Sequence, residues 1–263
     1  TKIQSENTEK LKAAVAESAE QAKPVEKQVK EVGAQIFRGG SFKPRTSPYS
    51  FQGLGYEALD ILKDLEMPTI SEITAISQIP AFLESVDIIQ VGTRNMHNYE
   101  LLKELGKINK PILLKRGFDS TIEEWLCAAE YILLGGNQNV LLCERGIRTF
   151  DNKTRFTLDF SALTYAKKMS NLPVIVDPSH AAGHAFLVKD LALAAIAAGA
   201  DGLLIEVNDD PQNSISDGIQ SITPNELKEI IKKDTYKITA KDGSFASQNA
   251  ATIMNEIKKT NKS

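Results

Sequence analysis

The chain has 263 residues, of which 42% are hydrophobic and 25% charged, with a formal net charge of -3. This is the balance of a soluble globular protein, and the length suits a single α/β barrel. The slight negative charge excludes any overall electrostatic drive toward nucleic acid or an anionic membrane. No apolar run approaches the ~20 residues of a membrane span, and the polar, mixed-charge N-terminus does not read as a signal peptide. Cys127 and Cys143 make neither a disulfide framework nor a CxxC pair, which suits a reducing cytoplasm.

In chain order, the first stretch is the least strand-like. Thr8 to Gly33 is rich in Ala, Glu, Lys and Gln, which favour helix over strand, and Pro24 suits the first turn of a second helix. A short strand near Ile3 or around Leu11–Val15 competes with that helical reading. From Ala34 onward one unit repeats: an apolar run, a polar turn and an amphipathic helix. The runs are Ala34–Phe37, Pro68–Ile70, Val86–Val91, Pro111–Leu114, Val140–Cys143, Pro173–Val176 and Gly202–Ile205. They are rich in branched residues and lack clean alternation, as strands covered on both faces are. Helical stretches lie between them, including Glu57–Leu65, Tyr99–Leu105, Thr121–Leu134 and Leu187–Ala198. Strand and helix in alternation predict a parallel sheet. The expected fold is therefore a (β/α)8 TIM barrel whose first strand is not legible and reads as remodelled. Residues 1–33 form the atypical N-terminal segment, 34–237 the barrel and 238–263 a C-terminal appendage.

Each apolar run ends in charge. Arg38, Glu72, Arg94, Lys115, Glu144 with Arg145, Asp177 with His180, and Glu206 all stand at or just beyond a strand end. In a barrel of this kind those ends converge on one face, where active sites are built. Solvated ion pairs account for any one of these charges equally well. At seven successive strand ends, with Lys43 adding to the cations, they point instead to a site for a small anion carrying phosphate and carboxylate.

Several motifs resemble one family. They are Arg38-Gly39-Gly40, Lys43 to Gly53 beginning Lys-Pro-Arg-Thr-Ser-Pro, Gly92-Thr93-Arg94-Asn95, Leu113 to Gly117, Cys143 to Thr149, Asp177-Pro178-Ser179-His180 and Ser216-Asp217-Gly218. The stretch from Val32 to Leu227 resembles the 3-deoxy-7-phosphoheptulonate (DAHP) synthases, in the subgroup related to 3-deoxy-manno-octulosonate 8-phosphate synthases. The Lys-Pro-Arg-Thr element separates the two. The resemblance implies a cytoplasmic transferase of the shikimate pathway to aromatic amino acids, which condenses phosphoenolpyruvate with erythrose 4-phosphate. It assigns Arg38 and Lys43 to the phosphoenolpyruvate carboxylate, and Arg94, Lys115 and Arg145 to its phosphate. Pro44, Arg45 and Thr46 are assigned to erythrose 4-phosphate, and Glu72 to the water that adds to the enolpyruvate carbon. His180, Glu206 and Asp217 match three of four ligands for a divalent metal such as Mn²⁺, an N/O/O set. Lys43, Glu72 and His180 are the expected catalytic groups, and a homodimer or homotetramer is the expected assembly.

The fourth family ligand is a cysteine in a Gly-Pro-Cys turn. Counting back from Arg38 without gaps places that position near Ala14, and alanine has no lone pair for a metal. Cys127 falls mid-helix at core spacing, and Cys143 reads as a packing residue. Asn208 and Asp209 replace the usual histidine and proline, and Ala185 and Phe186 stand where arginines are common. The metal site is thus expected to be weakened or absent. A second reading follows, of an impaired relative that binds phosphoenolpyruvate or sugar phosphates without turnover; a third is a metal-independent relative.

Overall fold

In the computed structural model the described residues are 22–214 and 217–238. Ala14, Ser216 and the appendage beyond Ile238 lie outside them. The chain opens with helix α1 (22–32), whose first turn holds Pro24, a position where the missing N–H costs nothing. Strand and helix then alternate: β1 (Phe37–Arg38), α2 (Tyr56–Lys63), β2 (Thr69–Ile73), α3 (Ile79–Ser85), β3 (Ile88–Val91), α4 (Tyr99–Gly106) and β4 (Ile112–Lys115). They continue as α5 (Ile122–Leu134), β5 (Val140–Glu144), α6 (Phe160–Met169), β6 (Val174–Val176), α7 (Pro178–Ala182), α8 (Ala185–Ala197), β7 (Gly202–Leu203) and α9 (Pro224–Ile238).

The seven strands form one parallel sheet in sequence order, curling as a barrel wall does. Every ladder joins successive strands, from Arg38 beside Ile70 to Val176 beside Leu203. All seven apolar runs thus became strands. Among the described residues no helix is long and apolar enough to cross a membrane.

Two apolar layers flank the sheet. Strands β3, β4 and β5 are buried along their whole length, which explains why they lack alternation. Ile70, Ile88, Leu113, Leu141 and Cys143 form the layer inside the barrel, with Ile36, Ile175 and Leu204 packed against it. The outer layer, between sheet and helices, holds their strand neighbours, among them Ile89, Ile112, Leu114 and Leu142, with Trp125 and Ile132 from α5.

Local signals set the helix ends. Thr121 and Glu124 form a reciprocal capping box at the start of α5, and Asp159 caps α6 through the Ala162 amide. Cys127 departs from its expected place. It is exposed, because the buried face of α5 is set by Trp125, Ala128, Ala129 and Ile132, and one residue before Ala128 the helix has turned away by ~100°. Cys143 is buried, and burial pushes its thiol up to about 12, so it stays protonated as a packing residue.

Helices α4 and α5 meet through glycine. A Cβ added to Gly106 would lie 2.7 Å from the Ile132 carbonyl oxygen and 2.9 Å from the Gly135 Cα. These are backbone atoms that cannot swing aside, so Gly106→Ala is expected to destabilise the fold by ~1–3 kcal/mol through overpacking, measured by urea denaturation.

Candidate active site

The site follows from strand parity. Side chains on a strand alternate faces, so residues two apart share one. Two positions beyond the interior layer stand Arg38 after Ile36, Glu72 after Ile70, Gln90 after Ile88, Lys115 after Leu113, Arg145 after Cys143, Asp177 after Ile175 and Glu206 after Leu204. The same pleat that fills the barrel with Ile and Leu therefore carries seven polar groups to its mouth.

Their contacts are mutual. Arg38 Nη1 lies 2.8 Å from Glu206 Oε1 and its Nε donates to Gln90 Oε1 at 2.9 Å. Gln90 Nε2 in turn donates to Glu72 Oε2 at 2.9 Å. A Cβ on Gly92 would fall 1.8 Å from Glu72 Oε1, so only glycine lets that carboxylate lie there. Across the mouth, Asp177 accepts from Lys115 Nζ at 2.5 Å and pairs with His180 Nδ1 at 2.7 Å. Burial alone would raise the Asp177 carboxyl, but His180 and Lys115 together hold it well below the usual carboxylate range. Burial lowers the His180 imidazole, against the pull of Asp177. The neutral ring therefore donates from Nδ1 and presents an Nε2 lone pair, which lies 3.7 Å from Glu206 Oε1.

The β1–α2 loop supplies the rest. Lys43 N donates to Gln52 O at 2.7 Å and Gly55 N to Ser41 O at 2.8 Å, closing a compact turn that carries Lys43, Pro44, Arg45 and Thr46. Gly53, at φ 92°, approaches the Ser41 carbonyl so closely that a Cβ would sit 2.2 Å from its oxygen. Lys43 Nζ and Arg45 Nη2 face Asp217 Oδ2 at 3.7 and 3.4 Å. Thr46 Oγ1 accepts from Arg94 Nη2 at 3.1 Å. Arg145 is buried against the Phe156 ring, 4.1 Å from its centroid. Burial pushes its guanidinium down to about 10, so it remains charged at neutral pH, and its Nε has no partner among the described residues.

The strand-end residues and the loop cations thus share one face. Glu144 is the exception and corrects its inclusion among the mouth charges. It has the parity of the outer layer, and its carboxylate accepts from buried Arg116 at 2.9 Å and from the Gly146 amide at 2.7 Å. Three supporting residues, two at the mouth and one behind it, went unnoticed in the sequence. Gln90 is fully buried and links Arg38 to Glu72; a lone polar residue within Ile88-Ile89-Gln90-Val91 was its signal. Ser179 Oγ accepts from the Glu206 amide at 3.0 Å, and Arg116 braces Glu144 and Asp159. Neither pairing has a signature in linear sequence.

The family model described as the DAHP synthetase I family matches residues 13–240. The chain belongs to the DAHP synthetase I family. A Thermotoga maritima protein named phospho-2-dehydro-3-deoxyheptonate aldolase is 49% identical over 207 residues, covering 77% of this chain and 61% of that one. A Geobacter sulfurreducens 2-dehydro-3-deoxyphosphooctonate aldolase is 32% identical over 205 residues, covering 72% of this chain and 74% of that one. The crystal structure of the T. maritima aldolase superposes with a TM-score of 0.81 at 45% identity, covering 84% of this chain and 66% of that chain. A truncated form of the 3-deoxy-D-arabino-heptulosonate 7-phosphate synthase from T. maritima gives 0.78 at 42% identity, covering 84% and 83%. The chain thus spans about three fifths of the T. maritima relative's length.

The family is generally metal-dependent. Among the described residues no three of His, Cys, Asp and Glu converge as a metal site requires. His180 and Glu206 approach each other, but the Glu206 carboxylate is taken by Arg38 and that of Asp217 faces Lys43 and Arg45. As arranged, these residues do not fit a metal ion.

Removing one member of a buried ion pair leaves the other charge uncompensated. Asp177→Asn strands the buried Lys115 ammonium and is expected to destabilise the protein by ~3–5 kcal/mol in chemical denaturation. The sign with pH follows from the depressed carboxyl. Its contribution is complete above the unfolded value of ~3.9 and is lost as pH falls through the lower folded value. The variant should lack that acid-side loss in a stability–pH profile.

Proposed function

We propose that this chain condenses phosphoenolpyruvate with D-erythrose 4-phosphate to give 3-deoxy-D-arabino-heptulosonate 7-phosphate and phosphate, the first step of the shikimate pathway. The observation that carries this reading is the mouth itself: Arg38, Lys115 and Arg145 from the interior-facing positions, joined by Lys43 and Arg94, on a family barrel. Five cations on one rim of a protein with net charge -3 suit a substrate pair with two phosphates and a carboxylate. The names of the T. maritima relatives support the same product.

In this reading Arg38 and Lys43 hold the phosphoenolpyruvate carboxylate. Lys115 and Arg145, with Arg94, hold its phosphate, and the unpartnered Arg145 Nε supplies a ready donor. Arg45 and Thr46 take the phosphate of erythrose 4-phosphate, with Pro44 stiffening the loop between substrates. The enolpyruvate carbon attacks the aldehyde carbon and a C–C bond forms. Water, oriented by Glu72 through its tie to Gln90, adds to the resulting cation, and phosphate departs. The adding water gives its proton to the Nε2 lone pair of His180, fixed by Asp177, and the imidazole passes it to the oxygen that the aldehyde carries after C–C bond formation. Catalysis is then chiefly positioning and electrostatic stabilisation by fixed cations. No step is routed through a metal, because Glu206 and Asp217 are neutralised by cations. The barrel unit over 34–237 carries every group named, and the reading includes a homodimer or homotetramer in the cytoplasm.

That same neutralisation, with alanine at position 14, favours a second reading, a relative that binds these anions without turnover. Phosphate release from both substrates, with Mn²⁺ and again with excess chelator, separates them. The synthase reading expects release in at least one condition; its absence in both, with phosphoenolpyruvate still bound, leaves the binder. Under either reading Arg145→Gln should weaken phosphoenolpyruvate binding by ~10-fold or more, the value of a lost charge-assisted contact, measured by calorimetry.

A further inference from the structure

The loop from β5 to α6 carries two arginines that the roles above leave unused. Its backbone is pinned. Ile147 and Thr157 exchange antiparallel hydrogen bonds, both 2.9 Å, and Arg148 N donates to Phe118 O at 2.7 Å. Arg155 N and Phe156 N donate to the Ala182 and Ala181 carbonyls at 3.1 and 2.8 Å. The Thr149 and Thr157 hydroxyls add a bond of 2.7 Å. Gly183, at φ 70°, makes room for this approach, since a Cβ there would fall 2.6 Å from the Arg155 Cβ. The loop is therefore a fixed platform.

On that platform Phe156 stacks on Phe118, with centroids 5.0 Å apart and planes inclined by 11°. Four guanidinium groups surround the pair. Arg145 lies 4.1 Å from the Phe156 centroid, Arg94 and Arg148 lie 5.1 and 5.0 Å from that of Phe118, and Arg155 lies 5.8 Å from that of Phe156. Ring faces attract these cations but neutralise none of them. No carboxylate pairs with any of the four among the described residues. Arg148 and Arg155 are exposed, on the solvent side of the buried Arg145.

A second observation points to a ligand here. The buried side-chain nitrogens without a partner among the described residues are Arg145 Nε and Gln220 Nε2. The inner phosphate of the proposed function accounts for the first. Gln220 is 3% exposed, and its Oε1 accepts from Arg155 Nη1 at 3.0 Å, so the second lies beside Arg155. A buried donor left unmet costs free energy unless an acceptor arrives.

We propose that Arg148 and Arg155, with Gln220, form an outer subsite for a phosphate dianion next to the inner phosphoenolpyruvate set. The inner set is that of the function proposed above, and the outer one is separable from it. The dianion is either the phosphate end of the aldehyde substrate, supplementing Arg45 and Thr46, or inorganic phosphate on its way out. Two guanidinium forks on a fixed loop suit either.

The test is calorimetry on protein saturated with phosphoenolpyruvate, titrated with inorganic phosphate and separately with erythritol 4-phosphate, which has no aldehyde to react. The native chain should take up a further anion. Arg148→Gln/Arg155→Gln should keep its affinity for phosphoenolpyruvate within about 2-fold yet bind the further anion at least ~10-fold more weakly. The double lysine variant should recover part of that loss. A loss confined to inorganic phosphate assigns the subsite to the leaving group, and a loss with erythritol 4-phosphate assigns it to the substrate tail. The proposal is overturned if the loaded native chain takes up no second anion, or if the glutamine variant binds both anions as the native chain does. If phosphoenolpyruvate fails to bind while phosphate binding still depends on the two arginines, the subsite stands and the proposed function falls.

Discussion

Strand pleating in a parallel sheet is the constraint on which this molecule depends. Each strand of the barrel turns alternate residues inward, and the inward series changes character once, from apolar to polar, toward the C-terminal end of each strand. On the apolar side of that change stand Ile70, Ile88, Leu113 and Leu141. Two residues on stand Glu72, Gln90, Lys115 and Cys143, and the Cys143 series reaches Arg145 after one further step. A shift of one residue in any strand would exchange the two faces, burying Lys115 among the helices and placing Leu114 at the mouth. Fold and site are therefore set by the same registers, and the hydrophobic layer that stabilises the barrel also aims its polar rim.

Bringing these charges together carries a cost that the network offsets. Lys115 and Asp177 are almost wholly buried, and ions in such places are tolerated only when paired and hydrogen-bonded. Asp177 meets that condition three times, through Lys115 Nζ, His180 Nδ1 and the His180 amide. The same bonds hold the imidazole in one tautomer and one orientation. Arg38 is held similarly between Glu206 and Gln90. Pairing of this kind pre-forms the site before a ligand arrives, so little reorganisation is left for the moment of binding. It also occupies the carboxylates that a divalent ion would need, which links the electrostatics of the rim to the metal question.

The loops beyond the strands are built for stiffness rather than reach. Gly53 and Gly92 stand where a side chain would collide with the Ser41 carbonyl and with Glu72. The β5–α6 loop is tied to Phe118 and to the end of α7 by backbone hydrogen bonds. Functional groups on loops are useful when the scaffold fixes them, and here the two loops place Arg45, Thr46, Arg148 and Arg155 around the same opening.

Much of this was legible in the chain itself. Apolar runs separated by amphipathic stretches determine a parallel barrel, because a strand covered on both faces must be apolar throughout while its crossover helix need be so on one side. Charges at the ends of those runs place a polar, largely cationic rim there, and the motifs from Arg38 to Gly218 determine the family. Tertiary structure alone decided which charges face each other. Glu144 and Arg145 are neighbours in sequence, yet the pleat sends one out to Arg116 and the other in toward the mouth. Glu206 meets Arg38 across 168 residues, and Asp217 turns to Lys43 and Arg45. Such pairings depend on barrel curvature and strand register, which sum over the whole chain and leave no trace in any local pattern.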